Sequence, residues 1–198
     1  MSHEEIQQIL HTGSRKLQIT FSPEASYRIV NLSQGLPHYT HLLALHAVRQ
    51  CNDAGQVEVS SDHLELAIGQ AVENAQQSLR ASYYKAVTSP RKDALHEPVL
   101  LACALAETDE FGFFAASDVR DPLSQIMHKK YEIPGYSRHI KEFCGPDRGE
   151  ILLSSGVKHK HRFRFRNPLM QPLVIMQGLV EGRLTPDLLD RIIGHREA

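Results

Sequence analysis

No run of apolar residues in this chain approaches the roughly 18 needed to cross a bilayer as a helix, which excludes a helical membrane span. The opening Met-Ser-His-Glu-Glu lacks the basic-then-apolar layout of a secretory signal. Cysteine is scarce: Cys51, Cys103 and Cys144 are widely spaced, each within helix-like sequence. That spacing argues against a disulfide framework or a Cys-rich metal site and for reduced, mostly buried thiols in a cytoplasmic protein. No glycine is followed by lysine, so a Gly-x-x-x-x-Gly-Lys-Ser/Thr phosphate loop is absent. Gly-x-Gly-x-x-Gly, Gly-x-Ser-x-Gly and His-Glu-x-x-His are missing as well. The chain by itself therefore carries no recognisable apparatus for hydrolysing ATP, esters or peptide bonds, and no catalytic residue is assigned.

Charge is balanced overall, with 22 Lys and Arg against 23 Asp and Glu, but it is unevenly placed. Residues 129–166 hold ten cations against four acids, a net of +6, whereas residues 1–90 hold six against eight. A basic segment in a near-neutral protein points to one localised anionic contact. Within it, Lys158, Lys160, Arg162, Arg164 and Arg166 alternate with His159, His161, Phe163 and Phe165. Period-2 alternation predicts a half-buried strand, with the phenylalanines facing a core and the cations facing water. A second strand over residues 150–153 and a turn at Ser154-Ser155-Gly156 complete a hairpin. Cations repeating every two residues, about 6–7 Å apart by strand rise, match a nucleic-acid backbone. The bland alternative is a solvated edge whose charges only discourage aggregation.

The fold class expected is mainly α with a small β-hairpin. Residues 4–12 read as a short amphipathic helix stopped at Gly13. Ser22-Pro23-Glu24 opens a second helix to about residue 33, combining a hydroxyl cap, a proline at the first position and an early acid. Residues 38–52 form a helix apolar nearly all round, expected to be central and buried. Residues 57–59 read as extended, and Ser60 or Ser61 caps a fourth helix, with helical residues continuing to about 87. The polar stretch Ser89-Pro90-Arg91-Lys92-Asp93 suggests a boundary between domains spanning 1–88 and 93–180, followed by a terminal helix and tail over 181–198. Past the boundary come an apolar helix over 96–107, an aromatic turn at 109–114, a helix opened by Asp121-Pro122, and a helix over 136–144. With the hairpin, that order is the order of a winged helix, in which the third helix enters the major groove and the wing grips the flanking backbone. Residues 169–179 then read as a helix packing back on the module.

In the third of these helices Ile140 and Phe143 face inward if Arg138, His139, Lys141 and Glu142 face out. Arg138 and Lys141 stand one turn apart, which suits groove or phosphate contact, and Arg148 at the wing entry joins the same basic surface. Twelve histidines invite a metal reading. A metal, however, needs convergent ligands with second-shell acceptors. His38, His41 and His46 read instead as helix-terminus or partly buried residues, and His159 and His161 as flanks of the phenylalanines.

Gly35-Leu36-Pro37-His38-Tyr39, the apolar helix after it, and Val59, Asp62, Leu64 and Ala67 together resemble the helical lid of an AAA+ ATPase. Phe111-Gly112-Phe113-Phe114, the run from Tyr136 to Phe143, and Arg164-Phe165-Arg166-Asn167-Pro168-Leu169-Met170-Gln171-Pro172 resemble the winged helix of the same proteins. The similarity is to bacterial AAA+ ATPases akin to origin-recognition-type replication initiators. It implies a lid-like bundle followed by a winged helix, binding duplex DNA through Arg138, Lys141, Arg148, Lys158, Lys160, Arg162, Arg164 and Arg166. It also implies a nucleotide-binding core in cis or trans, with ATP and Mg in the parent ATPase, and a possible homo-oligomer without membrane contact. The Walker motifs are missing, so the chain reads as a C-terminal fragment, a natural short gene product or an engineered piece of such a protein. Where related lids place a nucleotide-sensing arginine, this chain has His38, a shorter group only partly charged at neutral pH. The rival expectation is a protein-interaction or oligomerisation module without DNA contact, with the apolar terminal pattern (Leu179, Leu184, Leu188, Leu189, Ile192, Ile193) as partner surface. The DNA reading depends on the wing cations not being tied up by acidic neighbours.

Overall fold

The computed structural model describes residues 1–91, 94–157 and 161–194. The chain is mainly helical and divides into two compact units, Met1–Ala75 and Gln76–Ala198. No helix among the described residues is long and apolar enough to cross a membrane.

The first unit is built from α1 (His3–Leu17), β1 (Thr20–Phe21), α2 (Pro23–Ser33), α3 (Pro37–Asp53), β2 (Glu58–Val59) and α4 (Ser61–Glu73). A reciprocal capping box starts α1: Ser2 Oγ accepts from Glu5 N–H at 3.2 Å, and Glu5 Oε2 accepts from Ser2 N–H at 2.8 Å. The helix does not stop at Gly13. A mid-helix glycine costs only about 1 kcal/mol, and the buried Ile6 and Leu10 hold this helix to its neighbours until Gln18 turns left-handed at φ 55°. In α2 the cap expected at Ser22 is made, its hydroxyl accepting from Ala25 N–H at 3.1 Å. Parallel pairing of Thr20 with Glu58 and Phe21 with Val59 ties the two short strands together. Helix α3 packs on α1, α2 and α4 but is not buried all round. Leu45 stays half exposed, and Ala44, Leu45 and Val48 line a groove of about 640 Å³ against α1.

The second unit comprises α5 (Gln77–Val87), α6 (His96–Ala104), β3 (Phe114–Ala115), a 3-10 turn (Ala116–Val119), α7 (Arg120–Ile126), α8 (Ile133–Glu142), a second 3-10 turn (Pro146–Arg148), β4 (Leu152–Ser155), β5 (Arg162–Phe165), α9 (Met170–Val180) and α10 (Pro186–Gly194). Helix α5 belongs here, against α6, α9 and the second 3-10 turn, so the compact boundary lies ahead of the polar stretch at 89–93. Helix α6 is buried apart from Glu97 and forms the centre of this unit's core. It meets α9 closely: a Cβ on Gly178 would stand 2.9 Å from both Cδ methyls of Leu101. The apolar residues of α10 are buried, and the helix packs on α7, so they complete a core and do not form an open partner surface.

The sheet has three strands in the order β3-β5-β4, all antiparallel, with Leu152 opposite Phe165 and Phe114 opposite Phe163. The aromatic turn thus leads into a third strand that the hairpin expectation lacked. Asp109 shapes it: Oδ1 accepts from the N–H groups of Phe111 and Phe113 at 3.0 and 2.9 Å, and its own N–H donates to Phe113 O at 2.9 Å. Ser154 and Ser155 lie in β4, and the chain turns at Gly156, whose φ of 100° suits a residue without Cβ.

Candidate nucleic-acid interface

Strand β5 follows its alternation. Phe163 and Phe165 are buried and Arg162 and Arg164 exposed, because a strand sends successive side chains to opposite faces. The Phe163 ring lies against Phe114, centroids 6.1 Å apart, which secures the middle strand to its neighbour. Lys158, His159 and Lys160 lie outside the described residues.

The outward arginines are not a uniform free strip. Arg162 Nη2 donates to Phe113 O at 3.3 Å, and its Nη1 stands 3.5 Å from Asp109 Oδ2. Arg164 lays its guanidinium over the Phe113 ring, 4.8 Å from the centroid, a cation–π contact worth about 0.5–1 kcal/mol at an exposed site. Arg166 donates to the carbonyl and carboxylate of Glu150 at 2.9 and 3.0 Å. The expectation that the wing cations stand clear of acids is therefore overturned for Arg162 and Arg166. Both acids come from other segments brought alongside by the sheet and by the turn at 145–150, a proximity that alternation along one strand does not encode.

Arg148 is not part of this surface. Its Nη1 donates to Ala86 O at 3.0 Å and Thr88 O at 2.6 Å, satisfying carbonyls left open where α5 ends. Its charge sits at the negative end of a helix, where cations are favoured.

Helix α8 buries Tyr136 and Ile140, as does Phe143 at its cap, and turns Arg138 and Lys141 outward. Lys141 has no ion-pair partner among the described residues, and it lines a cleft with Ser137, Ala115, Asp118, His161 and Arg162. Asp118 is already engaged there, accepting from Ala115 N–H at 2.7 Å and from the Ser117 hydroxyl at 2.9 Å.

His139 and Glu142 do not face freely outward. Glu142 Oε1 accepts from Arg138 Nε at 2.8 Å, and its Oε2 pairs with His96 Nε2 at 2.9 Å. A carboxylate only accepts, so His96 carries its proton on Nε2 in this contact. The His139 ring meets the His96 ring edge-on at 4.8 Å, and Phe143 closes the other side at 6.0 Å. This cluster escaped sequence reasoning because His96 lies on another helix. Only a histidine at the head of a helix that is apolar beyond Glu97 could have signalled it.

Burial is the largest influence on the Glu142 carboxyl and would raise it. The hydrogen bonds from His96 and Arg138 outweigh burial and hold the group below its ordinary 4.5. Burial, helped by the neighbouring His96, holds the His139 imidazole below its ordinary 6.5. A group that releases its proton more readily when folded takes up protons preferentially in the unfolded chain. Its stabilisation is present above the ordinary value and is lost as pH falls. Stability should therefore decline in two stages on acidification, below about 6.5 through His139 and below 4.5 through Glu142. His139→Gln should remove the first stage and keep the second, read from urea midpoints between about pH 7.5 and 3. An unchanged first stage would assign it to another histidine.

In the first unit His38 stands exposed at the start of α3, its ring edge-on to Tyr39 at 5.2 Å. His41 is also exposed, whereas His46 is buried, so the three do not share one environment. In comparisons with known proteins, no family model and no curated protein matches this chain.

Proposed function

We propose that residues 1–75 are a helical lid of the AAA+ type, that residues 96–194 contain a winged helix, and that the chain binds duplex DNA. The observation that carries this reading is the middle strand β5, which turns Arg162 and Arg164 outward while Phe163 and Phe165 anchor it to the core. The order helix, strand, helix, helix, strand, strand, with the last strand central in the sheet, supports the same reading. On this reading α8 is the element that enters the major groove and β4–β5 the wing on the flanking backbone.

The working cations are Arg164, Lys141 and Arg162, with Lys158 and Lys160 alongside in the chain. Arg162 and Arg166 must exchange a carboxylate for a phosphate. Exposed ion pairs contribute about 0–1 kcal/mol, so the exchange is cheap. His38 remains the nucleotide-sensing candidate, and ATP with Mg would be bound by a core in cis or trans.

The pairing of Arg138, Arg162 and Arg166 with acids favours a second reading, a mixed-charge surface that docks a protein, either an ATPase core or another copy of this chain. Titration of a labelled duplex of about 20 base pairs by anisotropy, with light scattering on the same samples, separates the two. The DNA reading expects binding whose log K falls with log salt at about −0.9 per phosphate neutralised. Salt-independent or absent binding, with self-association or capture of an ATPase core, would replace it by the second.

A further inference from the structure

We propose that Arg138 reads a guanine edge in the major groove and that Glu142, itself held by His96, positions it for that contact. The inference rests on the DNA-binding reading above and names the base that α8 would select.

Arg138 is 85% exposed, yet it is not a free arm. Its Nε is held on Glu142 Oε1 at 2.8 Å, while neither terminal nitrogen has a partner among the described residues. A guanidinium fixed through Nε presents its two Nη groups together, the fork that matches the O6 and N7 acceptors of guanine. The carboxylate is fixed in turn. Its other oxygen meets His96 Nε2 at 2.9 Å, and the His96 side chain is only 11% exposed, set in α6, which is buried apart from Glu97, and flanked by His139 and Phe143. The chain of contacts therefore runs from the core of the unit to an exposed fork on the outward face of α8. Ordering a long side chain before binding removes part of the entropy loss that the contact would otherwise carry.

The same carboxylate argues against a phosphate as the target. A phosphate on the Arg138 fork would stand close to the Glu142 charge and be repelled by it, whereas O6 and N7 are neutral acceptors. Arg138 and Arg164 thus divide the work. Arg164, with no acid against it among the described residues, serves affinity, and Arg138, already neutralised by Glu142, serves sequence choice.

The test uses the whole chain. Selection from a duplex library with a randomised centre identifies a favoured site, and anisotropy then compares that duplex with one carrying 7-deazaguanine at the favoured guanine, which lacks the N7 acceptor. A bidentate contact predicts a loss of roughly 5- to 150-fold on this single-atom change. Arg138→Ala should bind the two duplexes alike, and because the residue is exposed the core is left intact. Glu142→Ala gives the distinguishing signature. Discrimination falls, while affinity for unselected duplex rises and the salt slope steepens, since Arg138 is released towards phosphate. A merely structural Glu142 would lower both affinities together. A wild-type chain that binds duplex but ignores N7, or an Arg138→Ala variant that still discriminates, overturns this inference and leaves the DNA reading standing. A wild-type chain that binds no duplex overturns both.

Discussion

Arg162→Ala/Arg164→Ala should bind duplex DNA roughly 10- to 100-fold more weakly than the parent chain in 0.1 M salt, with a salt slope flatter by about 1 to 2. The size follows from counterion release, since the slope changes by about 0.9 for each phosphate that is no longer neutralised. Arg164 should account for one whole phosphate, because its guanidinium rests on the Phe113 ring with no carboxylate against it among the described residues. Arg162 should account for less, since Asp109 stands 3.5 Å from it and must be displaced when a phosphate arrives. The folded state should survive, because both side chains leave β5 on its solvent face and the buried Phe163 and Phe165 are untouched. Anisotropy titrations at four or five salt concentrations measure the slope. A double variant with the parental slope would remove the wing from the interface and hand this surface to a protein partner.

Phe143→Ala should destabilise the second unit by about 3–5 kcal/mol, the usual range for deleting a buried aromatic ring. Phe143 is fully buried, caps α8 and packs edge-on against His96 at 6.0 Å. Its carbonyl accepts from Leu152 N–H at 3.1 Å, so the same residue ties α8 to the first strand of the hairpin. The cavity would open under the helix that carries Arg138 and Lys141, beside the polar His96–Glu142 pair. A loss of this size lowers the melting temperature by about 10–20 °C in a unit of this length. Thermal unfolding followed by circular dichroism reads it directly. A change below about 1.5 kcal/mol would mean that the site collapses onto neighbouring side chains at little cost.

Both results bear on how much of the site was legible in the residues. Strand β5 could be read from four positions, since alternation is a property of the chain next to itself. The cap at Ser22 and the helix carrying Tyr136, Ile140 and Phe143 were legible for the same reason. Other features were not. Gly13 looked like a stop because its propensity is poor, yet the apolar face of α1 carries the helix past it. Strand β3 looked like a turn because two residues have no period to recognise, and only pairing with β5 makes them a strand. Arg148 looked like a member of the basic surface, although its guanidinium is occupied by the carbonyls that α5 leaves open.

The residues by themselves determined a mainly helical chain, the alternation that splits arginine from phenylalanine on β5, and the lack of a phosphate loop. All of these are local patterns, decided by neighbours a few positions away. Tertiary structure decided what each cation meets: Asp109 for Arg162, Glu150 for Arg166, Phe113 for Arg164, and Glu142 backed by His96 for Arg138. Apart from Glu142, which lies one helical turn from Arg138, these partners come from distant segments. A charge pattern along the sequence gives the sign of a surface but not its counter-charges, because electrostatic partnership depends on distance in space and on burial.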